Sequence, residues 1–147
     1  HRYLIMMDAL DSATCERDKA FDQSFDLVRR VHVANGVATH TYVSPSFQLV
    51  LGHEPASLLG RADRCKTLLG AKQLNLIRKL VQGFECGQLK NGHVVEYPFL
   101  HAHDGREVWF EHKLSLDIGR PQELVIVSRD LTERLERERL QSRLQND

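Results

Sequence analysis

The chain has 147 residues, 41% of them hydrophobic and 27% charged, and its 20 basic and 20 acidic side chains leave a formal net charge of zero. That length holds one domain with its own apolar core, and the charge balance speaks against a nucleic-acid surface, which carries a basic excess. The cysteines Cys15, Cys65 and Cys86 are three in number and form no CxxC pair, so reduced thiols in a cytoplasmic setting are expected. The longest early apolar run, Leu4 to Met7, is too short for a signal peptide or a membrane span. A parent protein attached to a membrane elsewhere stays open.

Residues 1–24 mix charge with Asp and Ser separators, and a short helix or loose lead-in is expected there. Residues 26–34 and 37–43 alternate apolar with polar and flank Asn35-Gly36. Both turn residues tolerate positive φ, so the pattern predicts an antiparallel hairpin. Ser44-Pro45-Ser46 ends the second strand; either serine can cap the next helix, and Pro45 suits its first turn. Phe47, Val50 and Leu51 have helical spacing up to Gly52, and Glu54 to Leu59 reads as a second short helix. Residues 62–69 form a further short element. Leu74, Ile77, Leu80 and Val81 give one apolar stripe over a helix at 71–82, with Gly83 as its stop.

Three strands are predicted next. Residues 92–101 are rich in Val, Tyr and Phe, and Pro98 places that strand at an edge or bulge. His103-Asp104-Gly105 is its turn. In residues 106–116, Val108, Phe110, His112, Leu114 and Leu116 alternate with Glu107, Trp109, Glu111, Lys113 and Ser115. After a turn at 118–121, Leu124 to Val127 is a short branched run. Residues 131–147 are charged and helix-favouring, with Leu131, Leu135, Leu140 and Leu144 in no clean heptad. Hairpins dominate, which predicts an α+β domain with an antiparallel sheet and helices on one face.

Three segments carry a resemblance. The first is Thr41-Tyr42-Val43-Ser44-Pro45-Ser46-Phe47 with Leu51-Gly52-His53-Glu54-Pro55 and Leu58-Leu59-Gly60-Arg61. The second is Asp104-Gly105-Arg106-Glu107-Val108-Trp109. The third is Val127-Ser128-Arg129-Asp130-Leu131-Thr132-Glu133-Arg134. In this order and spacing they resemble the PAS family in its bacterial sensory form. The resemblance implies a five-stranded antiparallel sheet in spatial order 2-1-5-4-3. It implies a lead-in at 1–24, a core at 25–130, and an exit helix at 131–147 leading to an output domain. It also implies a signal-coupling role for Asp130 and Thr132. These two sit where the last strand becomes a helix, and their side-chain oxygens can cap its N–H groups; Asp130 with Glu133 resembles a capping box.

The identity of any cofactor stays open. A flavin of the light-oxygen-voltage type is disfavoured, because Cys65 is displaced by two residues from the reactive cysteine of GxNCRFLQ and the motif's Asn, Phe and Gln are missing. Cys65 reads as a small core residue. Haem on a helix histidine is disfavoured because residues 71–82 contain none. His101 and His103 with Asp104 lack further spaced ligands for a metal. No catalytic constellation is visible.

The remaining candidate site is a small pocket between the concave sheet face and the helices. Its candidate walls are Phe47, Leu68, Leu74, Ile77, Tyr97, Trp109, Glu111, Ile126 and Ser128, and alternation leaves open whether Trp109 or Phe110 points inward. The functional expectation is a sensory, dimerising module with a possible small-molecule ligand, in the same chain as a sensor histidine kinase. A GGDEF diguanylate cyclase is the alternative output, and a ligandless protein-interaction domain is the alternative of another class. A small-molecule enzyme ranks last.

Overall fold

The computed structural model describes residues 26–62 and 65–146. The lead-in expected at 1–24 and part of the 62–69 element lie outside the described residues. Strands β1 (Leu27–Ala34) and β2 (Val37–Val43) form the predicted hairpin. Asn35 and Gly36 take φ of 53° and 77°, the conformation that a tight two-residue turn demands. Then come α1 (Ser46–Leu51), α2 (Pro55–Leu58), a two-residue strand β3 (Gly60–Arg61), a 3₁₀ turn (Ala71–Gln73) and α3 (Leu74–Glu85). Strands β4 (His93–Leu100), β5 (Glu107–Leu116) and β6 (Glu123–Asp130) follow, and α4 (Thr132–Asn146) leaves the domain.

The sheet order is β3-β2-β1-β6-β5-β4, and every pairing is antiparallel. Without the short edge strand β3 this is the expected 2-1-5-4-3 order. Pro98 falls on the edge strand β4, where its missing N–H leaves no ladder partner wanting.

Two local readings need correction. Gly83 does not stop α3, which runs to Glu85; one mid-helix glycine costs only about 1 kcal/mol, and the chain turns at Gly87, with φ of 71°. Neither serine of Ser44-Pro45-Ser46 caps α1. The Val28 N–H donates to Ser44 Oγ (3.0 Å), Ser44 and Ser46 share a 2.6 Å hydroxyl contact, and Ser46 Oγ donates to the Asp26 carbonyl (2.8 Å). These hydroxyls tie the start of α1 to β1 instead. The last strand runs past the branched run to the expected junction at Asp130, because Ser128, Arg129 and Asp130 keep pairing with β5.

Gly52 ends α1 as expected, at φ of 76°. A Cβ there would lie 2.9 Å from His103 Nε2. Gly52→Ala is therefore expected to lower stability by about 1–2 kcal/mol, read as a lower urea midpoint with unchanged slope.

The inner sheet face holds two apolar clusters. One joins Leu27, Phe47, Leu51, Leu58, Leu68, Tyr97, Phe99 and Phe110 under α1 and α2. The other joins Val31, Val33, Leu114, Leu124 and Ile126 against Leu80, Val81 and Phe84 of α3.

Candidate ligand site and output junction

Side chains from β1, β2, β4, β5 and β6 place a polar layer among these clusters. A period of two puts Leu27, Arg29, Val31 and Val33 on one face of β1, so Arg29 enters the core and is only 2% exposed. Between Arg30 and Val31 of β1 the pairing skips from Tyr42 to His40, leaving Thr41 as an extra residue on β2. That bulge lets both His40 and Val43 point inward, each buried. On β5 the inward set is Phe110, His112 and Leu114, all buried.

The bonds of this layer fix its tautomers. His40 Nδ1–H donates to the Leu58 carbonyl (2.9 Å), which leaves Nε2 as the acceptor facing Arg29 Nη1 at 3.3 Å. Arg29 Nη2 donates to the Tyr97 hydroxyl (2.7 Å), and its guanidinium carbon lies 5.0 Å from the Phe99 ring centroid. His112 Nε2–H donates to the Tyr97 carbonyl (2.9 Å) and Nδ1 accepts from Ser128 Oγ (2.7 Å). The His112 ring also stacks on Tyr97, with centroids 3.6 Å apart. Burial first, and the Arg29 charge second, lower His40 from its ordinary 6.5 to about 4 and His112 to about 3. Both imidazoles are neutral near pH 7.

Between this layer and α3 lies a cavity of about 40 Å³, lined by Arg29, His40, Ile77, Tyr97 and Ile126 among others. That is room for a few waters or a small organic group, well under the roughly 300–1,000 Å³ of drug-sized sites. A surface groove that includes Gly36, Leu74 and Arg78 shares Ala38, Ile77 and Val81 with the cavity wall.

Of the candidate wall residues, Ile77, Tyr97 and Ile126 line the cavity, and Leu74 lines the adjoining groove. Ser128 is buried in the polar layer on His112. Phe47 and Leu68 are fully buried in the first apolar cluster, away from the cavity. Trp109 and Glu111 need correction. Phe110 takes the inward place, so both neighbours project from the opposite face, with Trp109 45% exposed. Arg29, His40 and His112 were not among the expected wall residues.

On the outer face, α4 meets the sheet. Asp130 Oδ1 accepts the Thr132 N–H (2.7 Å), and the Leu131 N–H donates to the Trp109 carbonyl (3.0 Å). Arg134 forks to Glu111 (2.9 Å) and Glu96 (2.7 Å), joining α4 to both β5 and β4. The side chain of Glu133 lies outside the described residues, as does any capping box it would make. Asp130 and Ser128 sit two residues apart on β6, so the junction and the polar layer share one strand.

No family model and no curated protein matches the sequence. Solved structures do. An RNA-binding light-oxygen-voltage receptor superimposes with TM-score 0.66 and 23% identity over 95% of this chain and 38% of that one. The N-terminal PAS/PAC sensor domain of a diguanylate cyclase from Marinobacter aquaeolei gives 0.53 and 17% over 74% and 97%. The chain has a PAS fold. A blue-light-activated histidine kinase of Erythrobacter litoralis also matches this PAS domain, at TM-score 0.53 and 17% identity over 88% of this chain and 42% of that one. The chain thus spans well under half of the receptor and of the kinase.

A flavin does not fit the residues present. The cavity is far smaller than three fused rings, and Arg29, Tyr97 and His40 line it. The Cys65 thiol is turned toward the Leu58 and Arg61 carbonyls, 3.5 Å from each. Helix α3 carries no histidine for haem. Among the described residues, no group of three or more His, Cys, Asp or Glu could hold a metal ion, and no helix is long and apolar enough to cross a membrane.

Proposed function

We propose that this PAS domain is the sensory and relay module of a bacterial signalling protein. Residues 25–130 form the sensing core, and residues 131–147 form the linker to an output domain in the same chain. The reading places the module in the cytoplasm and in a homodimer, with a sensor histidine kinase as output and a diguanylate cyclase as the alternative. Structural neighbours drawn from a cyclase and a kinase support both outputs. A flavin has no part in this reading.

The observation that carries it is the continuous contact from cavity to exit helix. Arg29 bonds Tyr97, Tyr97 bonds and stacks on His112, His112 bonds Ser128, and Ser128 precedes Asp130 by two residues on the strand that feeds α4. A change at the cavity that moves Tyr97 or His112 reaches the junction through packed groups with fixed bonding. Asp130 acts there through its carboxylate, which holds the Thr132 N–H, and the Thr132 side chain through its place in a surface groove beside Trp109 and Leu135.

The test is made in the full-length protein. Asp130→Ala removes one bond to a helix-start N–H and is expected to cost the domain only about 1 kcal/mol. Output activity should nevertheless lose its dependence on stimulus, and Thr132→Ala should do the same in milder form. Regulation that survives both changes, with phosphotransfer or cyclase activity as the readout, would leave the junction a mere helix cap. The sequence following Asp147 separates the outputs: a phospho-accepting histidine motif supports the kinase, a GGDEF signature the cyclase.

A further inference from the structure

A guanidinium holds its proton throughout the physiological pH range, and burying one without a counter-ion is costly. Arg29 is such a group. Among the described residues no carboxylate reaches it. Its hydrogen-bond partners are a neutral imidazole and a phenol, and its Nε is buried with no acceptor. The groups that face it from β2, β4 and β5 are the His40 imidazole, the Tyr97 phenol and the His112 imidazole, with no carboxylate among them. Among the described residues the site therefore carries one net positive charge, at the edge of a partly open cavity.

We propose that the core cavity binds a small aliphatic monocarboxylate, with its carboxylate on the Arg29 guanidinium and its tail among Val31, Val33, Leu80 and Ile126. The proposal names the ligand class of the sensory reading above and rests on it. Nε has almost no accessible surface in this structure, so the guanidinium turns toward the cavity on binding, where a carboxylate supplies the acceptor that Nε lacks and takes a terminal N–H alongside it in a two-bond fork. One negative charge matches the one positive charge. A dicarboxylate would leave its second charge against aliphatic walls, and a hydrated phosphate or sulfate would find few donors there. The room of about 40 Å³ limits the tail to a few carbons. Entry is through the groove beside α3, which shares Ala38, Ile77 and Val81 with the cavity. No residue of α3 is fully buried, so that helix is the wall most easily displaced.

The probe is sodium propionate, titrated into the 147-residue chain and followed by calorimetry and thermal unfolding. Sodium chloride at equal ionic strength, succinate and propionamide serve as controls. Propionate should raise the melting temperature saturably. Propionamide, of similar shape and uncharged, should not, nor should succinate. Arg29→Met should weaken propionate binding by about 10- to 100-fold, the range for losing a charged hydrogen-bond partner. Leu80→Phe, which keeps Arg29 and fills the tail space, should abolish binding while the near-ultraviolet circular dichroism shows an intact core. In the unaltered chain the Arg29 Nε–H proton resonance should move on adding propionate.

Absence of saturable binding by acetate, propionate and butyrate alike would overturn the proposal. So would an equal response to propionamide, or binding left unweakened by Arg29→Met. None of these results touches the relay reading, which stands or falls on Asp130→Ala. Conversely, propionate binding with unaltered output in the Asp130→Ala protein would keep the site and remove the relay.

Discussion

Phe99→Ala is expected to destabilise the domain by about 3–5 kcal/mol, the range for emptying a buried aromatic site. Phe99 is fully buried and sits where the aromatic cluster meets the polar layer. Its ring lies 5.7 Å from Phe47, 5.2 Å from Phe110 and 4.8 Å from His112, and Arg29 stands over it. Losing the ring opens a cavity and removes a cation–π contact, worth about 2 kcal/mol when desolvated, from a guanidinium that has no counter-charge among the described residues. Small domains have only about 5–15 kcal/mol in total, so the alanine variant should sit near its unfolding limit. Phe99→Leu keeps most of the volume and should lose less. Trp109→Ala is the counterpart: its ring is half exposed on the other face, and a change within about 1 kcal/mol is expected. Urea midpoints for the three proteins decide it. Similar losses for Phe99→Ala and Trp109→Ala would mean that the inward and outward faces of the sheet had been assigned wrongly.

That assignment shows what the sequence could and could not carry. The hairpin at Asn35-Gly36, the edge position of Pro98 and the strand order were legible because each rests on local turn chemistry or on the ordered motifs. The site was less so. Two successive aromatics, Trp109 and Phe110, gave each parity of β5 a large ring, and only the packed sheet selects Phe110. His112 shared the alternating set with Leu114 and Leu116, and a histidine in an apolar alternation was a usable signal of a buried polar group. Arg29 was legible by the same rule, since it lies two residues before Val31 on the inward face. His40 was not. The extra residue at Thr41 breaks the alternation of β2, and a bulge of that kind depends on the partner strand. Phe47 and Leu68 were correctly apolar, yet periodicity cannot tell a filled core from a cavity wall.

The two buried imidazoles make the fold sensitive to acid, and stability should fall steeply below about pH 6.5. In the unfolded chain each takes a proton near the ordinary histidine value of about 6.5. In the folded domain His40 does so only near about 4 and His112 near about 3. Between those values the unfolded state binds more protons, so stability rises with pH across the window and is fully present above 6.5. It is lost as pH falls, through about 4 for His40 and about 3 for His112. Each imidazole contributes on the order of 3–5 kcal/mol over its full window. Together they match a small domain's whole stability, so unfolding should begin well before both are protonated. Urea titrations from about pH 7 down to about pH 4.5 measure the slope as a count of protons. Two are expected in the wild-type chain and one in His112→Gln, whose amide can still donate to the Tyr97 carbonyl. Arg29→Met should flatten the slope as well, because the guanidinium is the second cause of both shifts. Stability that stays level down to about pH 5 would mean that neither imidazole is held neutral, and that the bonds assigned to His40 and His112 are not those of the folded domain in solution.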